Sequence, residues 1–272
     1  MLKRNQFIKY RFRYLFISLL SLITSLVQAN GLSPGKSPFP AISIIIDDMG
    51  YRLNSGSRAI NLSGAITYSF LPHSPHVIAL SKSAHQQNKE VMLHLPMEAE
   101  SGKKLGPGGL TEGMTKQQFI QVLESNIDSV PHVKGFNNHM GSLLTKSQLW
   151  MTRLMRKMAN DKKLFFVDSR TTKHSVALSV ARTEGLQSIT RDVFIDHEES
   201  NKFIHHQLKK LIKRAKRKGT ALAIAHPKKI TLSILEKWLP TLEEQGVKLV
   251  SVSTLIKLQQ QKRIALLDRV KN

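Results

Sequence analysis

Two patterns alternate along most of this chain, and this alternation constrains its fold more than any other feature. Short apolar runs such as AISIII (41–46) and LFFVD (164–168) are each followed by a longer stretch whose apolar residues recur every three or four positions. A strand followed by a helix returns the chain to the same edge of a sheet, so successive strands run parallel with the helices outside. The alternation therefore predicts an α/β domain built on a parallel sheet.

The number of repeats indicates how the sheet closes. The predicted strands are 41–46, 64–70, 90–94, 133–138, 164–168, 186–190, 221–225 and 247–252. The predicted helices are 76–88, 115–129, 146–161, 174–184, 201–218 and 232–245. This count favours one deformed (β/α) barrel of seven or eight parallel strands, because the run at 186–190 is weak. An open doubly wound sheet is the alternative.

The first 29 residues have the composition of an export signal. Five positive charges precede a run of about 14 apolar residues (14–27), and VQA (27–29) offers the small residues that a signal peptidase reads. We expect a signal peptide over 1–29, with an uncleaved membrane anchor as the alternative. A linker rich in Gly, Ser and Pro (30–40) precedes the predicted domain (41–256), and a tail (257–272) follows it.

Cysteine is absent, which limits both the stability and the chemistry of an exported domain. Without disulfides, an ordinary apolar core must stabilise the fold. Thiolate nucleophiles and thiolate metal ligands are excluded by the same absence. Any metal site must therefore be built from histidine, aspartate or glutamate.

The chain is strongly basic. Its formal net charge is +22, of which the leader contributes five, leaving about +17 for the rest. Much of this charge lies in KKLIKRAKRKG (209–219), which has a helical period. A solvated helix face is one interpretation, and attraction to an anionic envelope polymer or membrane surface is the other. We do not expect a nucleic-acid partner, because no nucleic-acid motif is present and aromatic residues are few.

Aspartate and histidine follow one predicted strand after another. The residues at these strand ends are Asp47, Asp48, His73, His76, His94, His139, Asp168, Arg170, Arg191, Asp192 and His226. Because the carboxyl ends of parallel strands meet at one mouth, we expect several of these side chains to converge. Carboxylate and imidazole without thiolate suit Zn²⁺ or a similar divalent ion with an open water position.

The adjacent pair Asp47 and Asp48 needs a compensating charge. Two neighbouring carboxylates repel each other, and burial raises the free-energy cost further. A metal ion bound by Asp48 would offset that cost and leave Asp47 free to act as a base toward the bound water. A helix N-cap with a first-turn acid is the structural alternative, and the two roles are compatible.

Several spaced motifs in order resemble the divergent polysaccharide deacetylases, which are relatives of the NodB-like carbohydrate deacetylases. They are IIIDDMGY, LPHSPH, EVMLHLPME, GPGGLTEGM, NNHMGS, FFVDSRTT, RDVFID and AIAHP, and they cover about 41–255. The resemblance implies a NodB-like deformed barrel and a metal-dependent N-deacetylase, a C–N hydrolase acting on linear amides of cell-envelope glycan. It also implies a place in the periplasm.

The resemblance assigns roles to particular residues. Asp48 and His94 match metal ligands, Asp47 matches the catalytic base, and His226 matches the acid that protonates the leaving amine. The superfamily's second ligand histidine follows the first closely, but LPME follows His94 here. We expect His139 to replace it.

Supporting roles are expected for further polar residues. We expect Arg170 to orient Asp47 and Asp168 to orient His226. Substrate contacts or support of the metal ligands are expected from His73, His76, Asn138 and Asp192. The missing histidine and the basic charge also leave open an inactive deacetylase-like envelope protein that binds glycan or a protein partner.

Overall fold

The computed structural model describes residues 39–161 and 164–271. The predicted signal peptide (1–29) and all but the last two residues of the predicted linker lie outside these residues. Within the described ranges, no helix is long and apolar enough to cross a membrane.

One parallel sheet forms the framework of the domain. Its strands are β1 (Ala41–Met49), β2 (Thr67–Phe70), β3 (Glu90–Met97), β4 (Val133–Met140), β5 (Phe165–Asp168), β6 (Ser188–Thr190), β7 (Val193–Phe194), β8 (Thr220–Ala225) and β9 (Lys248–Leu249). Eight strands pair in the order β6-β5-β4-β3-β2-β1-β8-β7, and β9 pairs with the first two residues of β1. Because β6 and β7 end this path yet are joined by only two residues, the sheet is a deformed barrel, which confirms the predicted fold.

Helices connect most of the successive strands, with β6 and β7 as the exception. The helices are α1 (Leu53–Ile60), α2 (Val77–Gln86), α3 (Lys116–Asp128), α4 (Gln148–Asp161), α5 (Ala177–Thr183), α6 (Asn201–Lys218), α7 (Lys229–Trp238) and α8 (Val252–Lys271). The predicted helix over 232–245 is wrong at both ends. The helix begins at Lys229, and after Trp238 a 3₁₀ turn containing Pro240 replaces it.

Side chains on alternate strand positions enter two separate apolar clusters. Ile44, Tyr68 and Phe136 belong to the larger cluster, which the helices cover. Ile45 and Leu222 belong to the smaller cluster, which includes the first turn of α8. The period of two that places Ile45 on the inner side also places Asp47 there.

Helix α8 begins at the amino ends of the strands. The Val252 amide donates to Thr67 Oγ1 (3.2 Å), and the Ser253 amide donates to Glu90 Oε1 (3.2 Å). Thr67 and Glu90 open β2 and β3, so α8 starts at the end of the sheet opposite the strand-end histidines and aspartates. The polar mouth is left uncovered by this helix.

Candidate metal centre

A local irregularity of β1 turns two neighbouring carboxylates toward the same mouth. Neighbouring side chains of a regular strand point to opposite faces. Here the pairing register shifts between Ile46 and Met49, and Asp48 has a φ of 55°, in the left-handed region. The resulting kink re-aims Asp48, as bulges beside active sites commonly do. Asp47 is buried, whereas Asp48 is partly exposed.

Three predicted ligands lie together at the mouth. Asp48 Oδ1 is 3.2 Å from His94 Nε2 and 3.1 Å from His139 Nδ1. The two imidazole nitrogens are 3.1 Å apart. Zn²⁺ holds such atoms at about 2.0–2.2 Å, so adjacent ligands in a tetrahedral or octahedral shell lie about 3.0–3.5 Å apart. The spacing of the three atoms therefore fits a divalent ion.

Asn137 determines which nitrogen of His94 faces the other ligands. Its Nδ2 lies 2.9 Å from Asp47 Oδ1, and a carboxylate can only accept, so the amide nitrogen is the donor. Asn137 Oδ1 consequently accepts from His94 Nδ1 (2.8 Å) and from Ser69 Oγ (2.7 Å). With its proton on Nδ1, neutral His94 presents the Nε2 lone pair to the metal position.

The electrostatics of this cluster favour a positive charge. Burial would lower the pKa of His94, but Asp47 and Asp48 outweigh it and raise that pKa to about 9. Burial would likewise raise the pKa of Asp48, but His139 and His94 hold it well below its usual range, so Asp48 stays ionised. The carboxylates therefore stabilise a cation at this point, whether a proton on His94 or a bound metal ion.

Asp47 has the environment of a general base. Burial is the main cause that raises the pKa of Asp47 above its ordinary value, although His94 and His226 oppose the rise. Asp47 Oδ2 lies 3.7 Å from His94 Nε2. A carboxyl group with a raised pKa, held beside the metal position by Asn137, is suited to accept a proton from an attacking water.

His226 is oriented by Asp196, so the prediction that Asp168 orients it is wrong. Asp196 is fully buried and lies 2.9 Å from His226 Nδ1, and it also accepts from Thr231 Oγ1. His226 Nε2 then faces Asp48 Oδ2 at 3.7 Å. Asp168 instead accepts from the Arg170 amide and Ser175 Oγ, which holds the loop after β5. Asp196 was missed because the two-residue strand β7 before it has no recognisable strand pattern.

The expected arginine near Asp47 is Arg191 and not Arg170. Arg170 is exposed, and within the described residues its side chain makes no hydrogen bond or ion pair with Asp47. Arg191 is partly buried and donates through Nε to the Ser169 carbonyl (2.7 Å). Burial is the main cause that lowers the pKa of Arg191, and Arg170 adds to it, whereas Asp47 and Asp168 raise it, so the Arg191 charge lies near both carboxylates.

The histidines after β2 support loops. His73 Nε2 lies 3.1 Å from Asn126 Oδ1, and Asn126 Nδ2 donates to the Gly108 carbonyl (2.8 Å), which links the loop after β2 to the glycine-rich loop. The His76 amide donates to the Gly50 carbonyl (2.9 Å). Neither histidine joins the cluster of three ligands, and a contact with substrate stays a prediction for both.

Asn138 and Asp192 also hold the backbone in place. Asn138 Oδ1 accepts from the Ser169 amide (2.9 Å), and its Nδ2 donates to the Met140 carbonyl (2.7 Å). Asp192 accepts from the Leu222 amide (3.0 Å) and pairs with Arg214 Nε (2.6 Å). Asn137, which sequence reasoning missed, is the residue of β4 that faces the site. Side chains two residues apart on a strand share a face, so the prediction that His139 faces the site also implied that Asn137 faces it.

Comparisons with known proteins agree with this architecture. Residues 44–256 match the family described as "Divergent polysaccharide deacetylase". An uncharacterized protein of Haemophilus influenzae (strain Rd) is 35% identical over 216 residues, which cover 79% of this chain and 76% of that protein. The uncharacterized protein YibQ of Escherichia coli (strain K12) is 32% identical over 215 residues, with 79% and 67% covered.

Solved structures share the fold. A crystal structure of an uncharacterized protein from Agrobacterium tumefaciens C58 has a TM-score of 0.77 and 22% identity, covering 84% of this chain and 97% of that one. The peptidoglycan deacetylase PdaC from Bacillus subtilis has a TM-score of 0.50 and 11% identity, covering 86% and 98%. The family match spans most of the chain and includes the strand ends that carry the site, and the chain therefore belongs to the divergent polysaccharide deacetylase family.

Proposed function

We propose that this protein is a periplasmic, metal-dependent hydrolase that removes acetyl groups from N-acetylated cell-envelope glycan. One observation carries the proposal: Asp48, His94 and His139 direct three ligand atoms at one point, with Asp47 and His226 beside it. Membership of a polysaccharide deacetylase family supports the reaction class. The peptidoglycan deacetylase PdaC, which shares the fold, supports an envelope glycan as substrate.

Zn²⁺ is the ion that we propose for the site. Two imidazoles and one carboxylate are a common zinc ligand set, and three protein ligands leave a position open for water or substrate. Bound there, the ion would supply Lewis acidity toward the acetyl carbonyl and toward water. His94 contributes Nε2 because Asn137 holds its other nitrogen, and Asp48 contributes a carboxylate that stays ionised.

The chain's own residues account for the proton transfers. Water adds to the acetyl carbon while Asp47 accepts one of its protons, and Asn137 holds Asp47 in place. His226 Nε2 donates a proton to the sugar nitrogen as the C–N bond breaks, which releases acetate and a free amine. Asp196 stabilises the protonated form of His226, because its carboxylate lies against Nδ1.

Acetate release from N-acetylglucosamine oligomers and from solubilised envelope glycan tests the proposal. We expect the metal-loaded protein to release acetate, and we expect Asp47→Asn to lower the rate by about 100-fold or more with metal binding retained. Asp128→Asn, a change at an exposed aspartate of α3, is the matched control and should leave the rate unchanged. Failure of the metal-loaded protein to release acetate from any of these glycans would favour an inactive, glycan-binding protein instead.

A further inference from the structure

A groove opens beside the candidate site, between β7 and α6. Its volume is about 330 Å³, within the size range of ligand sites. Among its lining residues are Arg191, Phe194, His197, Phe203, Gln207 and Lys210. The first three belong to β7 and its flanking loops, and the last three form one stripe along α6. None of them is among the three candidate metal ligands.

The Phe194 ring connects the groove to His226. The Phe194 ring lies 5.4 Å from the His226 ring and 5.7 Å from the His197 ring, measured between centroids. The Arg191 guanidinium lies over the Phe194 ring at 4.9 Å. If His226 protonates the leaving amine, the deacetylated sugar sits at His226, and the neighbouring sugar of the polymer reaches Phe194. This step rests on the proposed function.

The groove presents both an aromatic face and uncompensated positive charge. Phe194 and Phe203 offer ring surface, against which the C–H face of a sugar can pack. Asp192 also lines the groove, but its carboxylate pairs with Arg214, and Glu199 pairs with Lys228 (3.0 Å). Lys210 has no carboxylate within ion-pair distance among the residues that the structure describes. Its ammonium group is therefore available to an external anion.

The rest of α6 extends this charge away from the site. The helix contains eight lysine or arginine residues and no aspartate or glutamate. A polymer that leaves the groove along α6 therefore passes mainly lysine and arginine side chains, which attract an anionic chain more than a neutral one. A glycan subsite would require a specific contact between the polymer's acidic group and Lys210, which lines the groove, whereas a general basic surface would not.

We propose that the substrate glycan is anionic, and that the sugar next to the deacetylated one occupies this groove. In that position its ring packs on Phe194 and its acidic group, a carboxylate or a phosphate, pairs with Lys210. The groove thus selects an acidic, N-acetylated polymer from the glycans that could reach the mouth.

Binding of three matched probes tests this inference. They are a tetramer of N-acetylglucosamine, the same tetramer with C6 carboxylates, and the same tetramer with C6 phosphates. We expect calorimetry on the full chain at low salt to show about tenfold tighter binding of at least one acidic tetramer than of the neutral one. Comparing the two acidic tetramers identifies which anion the groove prefers.

Two charge reversals on α6 separate a directed contact from overall charge. Lys210→Glu should remove most of the preference for the acidic tetramer. Lys209→Glu changes the net charge equally but does not line the groove, and should alter the preference less than about twofold. Both lysines are exposed, so both variants should fold.

Several outcomes would overturn the inference. These are equal affinity for acidic and neutral tetramers, no binding of any tetramer, or equal losses in the two variants. Binding to phosphatidylglycerol vesicles that both variants weaken equally, without a tetramer preference, would assign the charge to a membrane. Because binding needs no turnover, a Lys210-dependent preference without acetate release would retain the groove and refute the deacetylase. Acetate release without that preference would support the deacetylase and refute the proposed role of the groove.

Discussion

At the scale of single residues, Asn137 connects the base to the metal ligands. Its amide nitrogen holds Asp47, and its amide oxygen holds His94 and Ser69. One side chain thus sets the position of the candidate base and the tautomer of a candidate ligand. Both effects follow from the amide having a donor and an acceptor end.

Replacing Asn137 should weaken metal binding without unfolding the protein. We expect Asn137→Ala to lower zinc affinity about 10- to 100-fold, because His94 loses the partner that fixes its tautomer. Calorimetric titration of metal-free protein with zinc measures the change. Asn126→Ala is a matched control, since Asn126 is also a buried, hydrogen-bonded asparagine but supports Gly108 instead. Equal affinities of the two variants would show that Asn137 does not position the ligand.

Sequence reasoning located the site better than it assigned partners within it. Strand ends were predictable because parallel strands place them at one mouth, and the structure brings Asp48, His94 and His139 together there. The partners of these residues depend on side-chain direction and on short elements. Asp196 follows a two-residue strand and so did not stand at a recognisable strand end. Arg191 was identified at a strand end, but its contacts with the loop after β5 depend on side-chain direction.

At the scale of elements, a glycine of β4 lets a side chain of β5 pack against the strand that contributes Asn137 and His139 to the site. Gly135 lies two residues before Asn137, on the same face of β4. A Cβ atom built on Gly135 would lie 2.3 Å from the Phe165 ring of β5. The absence of a side chain therefore allows Phe165 to pack against the strand that bears Asn137 and His139.

Gly135→Ala should destabilise the fold by about 1–3 kcal/mol, because the ring of Phe165 or the strand must move. Urea denaturation measures the loss. Gly113→Ala provides the comparison: nothing lies within 4 Å of a Cβ there, and the residue is exposed. It should change the stability by less than about 0.5 kcal/mol. If the two variants unfolded at the same urea concentration, the close approach of Phe165 to Gly135 would not contribute to the free energy of unfolding.

Elements with weak patterns could not be predicted. Helix α1 (LNSGSRAI) has little apolar content, and its Gly56 packs closely against Leu80 of α2. That contact is tertiary, and no local pattern reveals it. The longer strands and helices, in contrast, repeat their apolar period often enough for the sequence to identify them.

At the scale of the whole molecule, one end of the barrel holds the candidate site and the other end is packed by α8. The carboxyl ends of the strands hold the candidate site. At the amino ends, the first turn of α8 packs into the smaller apolar cluster through Val252, Leu255 and Ile256. This division leaves the mouth free of α8 while the fold is stabilised from the other side.

Leu255→Ala should therefore reduce stability without disabling the site. Leu255 is fully buried, so we expect a loss of about 2–5 kcal/mol in the free energy of unfolding, with zinc affinity unchanged in the folded protein. Leu266→Ala on the same helix is the control, because Leu266 is 53% exposed and should cost less than about 0.5 kcal/mol. Thermal denaturation of the two variants distinguishes them, and equal midpoints would mean that the packing of α8 into the smaller cluster does not stabilise the fold.

The metal content of the purified protein tests the central claim most directly. Elemental analysis after equilibration with zinc should find about one ion per wild-type chain, and almost none in the Asp48→Ala, His94→Ala double variant. A variant with Asp128→Ala and His205→Ala, which changes exposed residues of the same types, should keep the full content. Absence of bound metal from the folded wild-type protein, or an equal content in the double variant, would contradict the account.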